Sequence, residues 1–327
     1  MAEEALKSRE EYVAPVLRGR PGRMPPEDSA EITRKVTALA VAIGLFFAIS
    51  KFFIYQETHS IGVLSSLVHS ALDVFASIST FVAVRYAVQK PGASYKFGHG
   101  KAESFAAVLQ VCLIVVAAAH LMTEALAHLD NPEPVERTGL AIGALIVFIF
   151  VSVGLLMAQG WAIRATGSIA VRGDRAHYLA DMLANMFVIA GILFASYTPL
   201  KRADTVVGIL MGLWLLFTAL RISRIAWAQL MDQELPEEER DLIIKLAMQD
   251  KAVRAVHDLR TRASGPHIHI QMRLDLDAEL SLSQAHDVIL EAEQRMMQVY
   301  KAADILIHPH PTGCHETHGN IRFRGDD

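Results

Sequence analysis

The hydrophobic positions of the chain form six long stretches, separated by short polar segments. The stretches are residues 33–54, 61–87, 103–127, 138–160, 177–198 and 203–225. Each is long enough to cross a bilayer, which takes about 20 residues of helix. Polar residues interrupt the second and fifth stretches, so these two are less hydrophobic than the others. The pattern predicts an all-α, six-helix transmembrane domain over residues 32–228.

A shorter and more polar pattern follows the last stretch and predicts a separate domain over residues 232–311. Its first helix has Pro and Glu in its opening turns, and the strands flank a turn that contains Gly and Pro. The predicted elements are helices at 236–248 and 283–300 and strands at 253–262, 267–277 and 304–308. Their order is αββαβ, which indicates an α+β fold.

The distribution of charged residues supports the division into a transmembrane domain and a soluble domain. The 327 residues are 52% hydrophobic and still 20% charged, and the charged residues are dense before residue 36 and after residue 231. The net charge of −4 is too small to argue for nucleic acid as a partner. The N-terminus has no apolar core before a cleavage site, so we do not interpret it as a signal peptide. Composition predicts a disordered arm at 1–31 and a polar tail at 312–327.

Basic residues in the short loops predict the orientation in the membrane. The loops after the second and fourth stretches carry Arg85, Lys90, Lys96, Lys101, Arg164, Arg172 and Arg175. The loops on the other side hold fewer basic residues. Because Lys and Arg are enriched in cytoplasmic loops, both termini are expected in the cytoplasm.

The second and fifth stretches each contain a pattern of the form H-x-x-x-D. The second has His69 and Asp73, and the fifth has His177 and Asp181. Residues four apart lie on one face of a helix, so each helix presents an imidazole and a carboxylate to the same side. Two such helices facing each other would supply four ligands, which is enough for a tetrahedral zinc ion.

Ionisable groups at membrane depth are costly and usually mark an ion or substrate pathway. Two carboxylates balance a divalent cation, and without metal the imidazoles take up protons near neutral pH. Metal and protons would therefore compete for the same groups, which is a physical basis for proton-coupled antiport. The alternative is that these side chains only join helices by hydrogen bonds. Two copies of the pattern favour the functional interpretation.

Histidines are also frequent in and after the soluble domain. Eight of the 14 lie between residues 257 and 318, namely His257, His267, His269, His286, His308, His310, His315 and His318. Imidazole is the commonest metal ligand, so this concentration predicts metal binding. The two in the tail are interpreted as surface groups. In the third stretch, His120, Glu124 and His128 share a helix face. We interpret these three as interfacial groups, with assistance to metal release as the alternative.

These features together resemble the cation diffusion facilitator family, in particular its bacterial zinc and ferrous-iron exporters. The resemblance covers residues 30–311 and rests on both His/Asp pairs and on the segments FGHGKAE (97–103), HDLRTR (257–262) and IHPHP (307–311). It implies a homodimer and a cytoplasmic αββαβ domain of the ferredoxin-like, metallochaperone-like type. It also implies proton-driven metal export by alternating access, with a bacterial inner membrane as the expected location.

The resemblance further implies which residues bind metal. His69, Asp73, His177 and Asp181 would form the membrane site. His257, His286 and His308 match ligand positions of the cytoplasmic domain, where His310 replaces an Asp of the family. Arg273 stands where the family has a ligand His, and an arginine would repel the metal. His269, four residues earlier on the same strand face, is the expected substitute, and a reduced cytoplasmic site is the alternative.

Two further positions carry over from the family. Of the loop site after the second stretch, only His99 remains, so that site is expected to be weak or absent. Lys101 and Asp232 match a charge pair between subunits, and the resemblance implies a dimer hinge there. A pair of His-Asp motifs resembles the vertebrate zinc transporters, which favours zinc as the exported metal.

Several other functions are alternatives to zinc export. Fe(II), Mn(II), Co(II) and Cd(II) are the alternative cargoes, since selectivity depends on geometry and availability as well as on ligand type. A membrane metallohydrolase would keep an open metal position, and a site with four ligands leaves none. The chain is therefore not expected to be an enzyme. A membrane-bound metal sensor would not need the intramembrane pairs.

Overall fold

The computed structural model describes residues 21–59, 61–130, 139–194 and 203–313. Six long helices come first: α1 (Pro26–Thr58), α2 (Ile61–Ala87), α3 (Ala102–Asp130), α4 (Gly139–Thr166), α5 (Ile169–Phe194) and α6 (Ala203–Leu230). They pack against one another, and α5 contacts α2, α3, α4 and α6. A domain of two helices and a small sheet follows. The predicted fold class is therefore confirmed.

Five of these helices, within the part of the chain that is described, contain a segment long and apolar enough to cross a membrane. The exception is α5, which polar residues interrupt. Asp174, His177 and Asp181 of α5 are nevertheless buried. A helix that packs against four others turns its polar side chains toward protein rather than lipid, where their cost is lower.

Two helices begin well before their predicted first residue. Residues 26–31 were predicted as part of a disordered arm, but α1 begins at Pro26. Proline suits the first position of a helix, and Glu27 and Asp28 lie at the positive end of its dipole. The fifth helix begins at Ile169 instead of residue 177. There the Glu103 carboxylate accepts hydrogen bonds from the Ile169 amide and the Ser168 hydroxyl, which caps the start of α5. The first 20 residues, and the tail from residue 314, lie outside the described residues.

The C-terminal domain has the predicted αββαβ order. Its elements are α7 (Glu237–Ala247), β1 (Val253–Ser264), β2 (His267–Leu276), α8 (Leu282–Val299) and β3 (Ala303–Pro311). The sheet has the order β1-β2-β3, with β1 antiparallel and β3 parallel to β2. The third strand extends beyond the predicted residue 308, because its pairing with β2 continues to Pro311.

The two faces of β2 differ in polarity. Alternate residues from Ile268 to Leu276 are buried in a core that both helices share. The intervening residues, from His267 to Asp275, point to the opposite face, as the two-residue period of a strand requires. This second surface, hereafter the polar sheet face, carries His267, His269, Gln271, Arg273 and Asp275.

The segment before α1 is attached to the C-terminal domain. Gly22 donates its amide hydrogen to the Pro266 carbonyl and accepts a hydrogen bond from Ala302, both at 3.0 Å. The Arg23 guanidinium pairs with the buried carboxylate of Glu239 and lies 4.3 Å from the centre of the Tyr300 ring. We call these contacts the N-terminal clamp. They connect the first helix directly to a domain that lies more than 200 residues later in the chain.

The loop between α2 and α3 contacts the same domain. A Cβ atom on Gly100 would lie 2.0 Å from the Ser264 carbonyl oxygen, so only glycine fits this contact. The Phe97 ring lies between the Arg262 guanidinium, 4.9 Å from its centre, and the His269 ring, 5.6 Å away. The N-terminal clamp and the α2–α3 loop therefore both connect the transmembrane domain to the C-terminal domain, in addition to the chain segment that joins them.

We expect Arg23→Ala to lower the free energy of unfolding of the full-length protein in detergent by about 3 kcal/mol, because it removes the guanidinium that pairs with the buried Glu239 carboxylate. Adding Glu239→Gln to this variant should recover part of the loss, since the glutamine is neutral. Arg34→Ala removes an exposed arginine of α1 and should have little effect. Equal stability of Arg23→Ala and Arg34→Ala in thermal unfolding would contradict the clamp.

Candidate functional site

The two His/Asp pairs meet between α2 and α5, as the sequence analysis predicted. His177 Nε2 lies 3.0 Å from Asp73 Oδ1 and 3.6 Å from Asp181 Oδ2. His69 Nε2 lies 3.6 Å from Asp181 Oδ1 and 3.9 Å from Asp73 Oδ1. Ligand atoms of His69, Asp73 and Asp181 all lie within 4.8 Å of one another. We call these four residues the membrane tetrad.

Side chains of the tetrad differ in exposure. His69 is 49% exposed, whereas His177 is only 4% exposed. Helices α2 and α5 pass each other so that His69 lies beside Asp181 and Asp73 lies beside His177. The tetrad is thus accessible at His69 and covered at His177. Two imidazoles and two carboxylates at these separations suit a divalent metal that prefers nitrogen and oxygen ligands.

A buried polar network covers the His177 side of the tetrad. Its centre is Asp174, one helical turn before His177 and completely buried. The carboxylate accepts hydrogen bonds from Gln159 at 2.8 Å, Ser77 at 3.2 Å and Gln110 at 3.4 Å. The partners come from α2, α3 and α4, so one side chain of α5 joins four helices.

Sequence reasoning missed Asp174. It lies three residues before His177 and seven before Asp181, so all three share one face of α5. That spacing was visible in the sequence. The hydropathy pattern begins the fifth stretch at His177, which leaves Asp174 in a loop.

Some of the predicted cytoplasmic ligands lie next to residues of the polar sheet face. Arg273 is paired with His257 on β1 and with His308 on β3, so it lies at the centre of this row. His257 Nε2 lies 3.1 Å from Asp275 Oδ2, and His310 Nδ1 lies 3.4 Å from Asp275 Oδ1. Asp275, which was not predicted as a site residue, thus connects two of the predicted histidines.

Arg273 has an acidic partner of its own. Its guanidinium donates a hydrogen bond of 2.8 Å to Asp258, which has a φ of 48° at an irregular point of β1. The positive charge at the centre of the row is therefore held in place by protein, where the resemblance implied a ligand histidine.

His269 lies away from the other predicted ligands. It is opposite Arg262 on β1 and Asp304 on β3, and its Nδ1 lies 3.0 Å from the Asp304 carboxylate. Four residues of strand, roughly 13 Å, separate it from Arg273. The structure therefore does not bring His269 to the position at which it would substitute for the missing ligand.

The remaining predicted residues are dispersed. His286 is exposed near the start of α8. His99 lies between the rings of Tyr86 and Tyr95, with centroids 4.4 and 4.8 Å away. That the loop site is weak or absent stays a prediction. His120 is exposed on α3, and the side chains of Glu124 and His128 lie outside the described residues.

Lys101 and Asp232 pair within one chain. Lys101 Nζ lies 3.0 Å from Asp232 Oδ2 and donates a further hydrogen bond to the Leu230 carbonyl. Arg262 approaches the same carboxylate at 3.1 Å. The pair thus joins the α2–α3 loop to the end of α6, and its role as a dimer hinge stays a prediction.

Comparison with known proteins shows the family to which the chain belongs. The family model described as the cation efflux transmembrane domain matches residues 37–231, and that of the cation efflux protein cytoplasmic domain matches residues 235–312. The chain belongs to the cation diffusion facilitator family. It is an integral membrane transporter for the efflux of cations, and members of this family are transporters rather than enzymes.

Curated relatives carry the same assignment. The chain is 35% identical to the cation-efflux pump FieF of Serratia proteamaculans over 86% of this chain and 94% of that protein. It is 36% identical to FieF of Klebsiella pneumoniae strain 342 over 84% of this chain and 90% of that protein. Among solved structures, the metal-bound C-terminal domain of the CzcD transporter from Thermotoga maritima matches 25% of this chain and all of that domain, at 24% identity and a TM-score of 0.24.

His267 makes the stability of the protein dependent on pH. Burial lowers the pKa of His267, and the nearby His269 lowers it further. The unfolded chain therefore takes up a proton at His267 before the folded chain does. The contribution of His267 to the free energy of unfolding is complete above the unfolded pKa of about 6.5. It is lost as pH falls below that value, because the unfolded chain then binds a proton that the folded chain does not.

We expect His267→Gln to reduce the loss of thermal stability between about pH 7 and pH 5.5. The measurement is thermal unfolding of the full-length protein with a chelator present, so that bound metal does not contribute. His286→Gln replaces an exposed histidine of the same domain and is the matched control. Parallel pH profiles for His267→Gln and the unaltered protein would contradict this prediction.

Proposed function

We propose that this transporter exports Zn²⁺ from the cytoplasm in exchange for protons, with the membrane tetrad as the transport site. The observation that supports it is the approach of His69, Asp73, His177 and Asp181 to one another between α2 and α5. Two carboxylates supply the charge that a divalent cation requires, and two imidazoles are borderline ligands that suit zinc.

Proton coupling follows from the same groups. A metal ligand must be deprotonated, so metal binding displaces protons from the imidazoles, and protons displace metal in turn. In the proposed cycle, the tetrad loses protons and takes Zn²⁺ from the cytoplasm. The helices then rearrange, and protons from the other side displace the metal. The buried network around Asp174 covers the tetrad at His177, whereas His69 is accessible, so we assign this conformation to the state open away from the cytoplasm.

The remaining parts of the proposal concern assembly and location. The family model that matches residues 235–312 is named for a dimer domain, which supports a homodimer. The basic residues in the short loops support a cytoplasmic location of both termini, and we place the chain in a bacterial inner membrane. Metal in the cytoplasmic domain would stabilise the dimer and tune its activity. Fe(II), Mn(II), Co(II) and Cd(II) are the competing cargoes, because the relatives are cation-efflux pumps and the ligand set alone does not choose among these ions.

We expect inside-out proteoliposomes with an acidic lumen to take up Zn²⁺, and Asp181→Ala to lower the rate about tenfold or more, since loss of even an outer-shell partner costs that much. The measurement compares initial uptake with and without the pH gradient, for Zn²⁺ and for each competing ion. Asp28→Ala replaces an exposed carboxylate of α1 and is the control. Equal uptake by Asp181→Ala and Asp28→Ala would remove the tetrad from the pathway, and uptake without a gradient effect would exclude proton coupling.

The cytoplasmic domain is proposed to hold fewer metal ions than the family pattern implies, because Arg273 occupies the centre of the His257 and His308 row. We expect Arg273→His to raise the number of Zn²⁺ ions bound per chain, as it replaces a fixed cation with a ligand. Equilibrium dialysis of the full-length protein measures this number. Arg254→His, on the exposed part of β1, is the control and should add none. An unchanged number for Arg273→His would contradict the proposal.

A further inference from the structure

A lysine of α1 lies beside the membrane tetrad. Lys51 Nζ donates a hydrogen bond of 2.7 Å to the Ser70 hydroxyl and lies 3.4 Å from the Ser66 carbonyl oxygen, both on α2. Ser70 is buried and lies in the helical turn between His69 and Asp73. The ammonium group is therefore held at the depth of the tetrad.

The Lys51 side chain points into the helix bundle. A lysine near the end of a membrane-spanning helix usually extends its amine to the water interface. Lys51 instead turns toward α2 and makes its hydrogen bonds inside the helix bundle. Asp73 and Asp181 are the carboxylates whose charges act on it. The part of the tetrad that faces α1 therefore has a fixed cation as its neighbour.

We propose that Lys51 is a positioning residue that weakens metal binding by the tetrad and favours its release. The inference rests on the proposed transport through the tetrad and goes beyond it. Without metal, the ammonium offsets one of the two carboxylate charges. When a divalent cation enters, the ammonium repels it, and the loaded site is left with an excess positive charge in a medium of low dielectric constant.

The charge of Lys51 therefore acts in opposite directions in the two states. It stabilises the metal-free carboxylates and destabilises the metal-loaded tetrad. A transport site must bind its cargo tightly enough to capture it and loosely enough to release it. Lys51 shifts this balance toward release without being a ligand, because an ammonium has no lone pair to offer.

The test measures the initial rate of Zn²⁺ uptake by proteoliposomes over a range of Zn²⁺ concentrations. Lys51→Met keeps the length of the side chain and removes its charge. We expect the KM for Zn²⁺ to fall about tenfold, because loss of the ammonium removes its repulsion of the divalent cation, and the maximal rate to fall with slower release. Lys51→Arg, which keeps the charge, should return the KM toward that of the unaltered protein.

Controls separate this inference from structural damage and from the function on which it rests. Lys35→Met removes an exposed lysine of the same helix and should leave the KM unchanged. Should Lys51→Met fail to fold, Lys51→Gln keeps a hydrogen-bonding group without charge. A KM that is unchanged or higher in the neutral variants would overturn the role of Lys51, since loss of packing alone does not tighten binding. Uptake that survives Asp181→Ala, or no uptake by the unaltered protein, would overturn the proposed function itself.

Discussion

The cost of placing two carboxylates between membrane helices determines much of this structure. A charged group away from water needs partners, and Asp73 and Asp181 find them in imidazoles from the opposite helix. The helix that supplies His177 and Asp181 must then be covered by other helices, because it has too many polar residues to face lipid. This explains why α5 contacts four neighbours while the remaining helices are apolar enough to span a membrane alone.

The same constraint accounts for the polar groups around the tetrad. Asp174 is buried with three side-chain donors, and a buried carboxylate without such donors would be strongly unfavourable. Meeting this requirement ties α5 to α2, α3 and α4. A group of hydrogen bonds that joins four helices has to break or move as a unit if the helices rearrange, so the network belongs to one conformation of the transporter.

Local sequence patterns predicted the elements and the meeting of the two His/Asp pairs, and long-range pairing accounts for what they missed. The two H-x-x-x-D patterns needed only helical periodicity to be recognised. The start of α5 was misplaced because hydropathy cannot tell a polar residue in a loop from one buried among helices. Lys51 and Asp275 acquire their neighbours through packing and strand register, neither of which local sequence contains. For the same reason His269 was grouped with His257, although the register places it opposite Arg262.

The N-terminal clamp has a consequence for how the two domains can be separated. The connection from Met231 to Glu234 is exposed, so it is an accessible target for a protease. A cut there would not release the cytoplasmic domain as a free fragment, because the N-terminal clamp and the α2–α3 loop would still hold it. Removing the residues ahead of Pro26 would be needed as well, and the two halves of the chain should otherwise copurify.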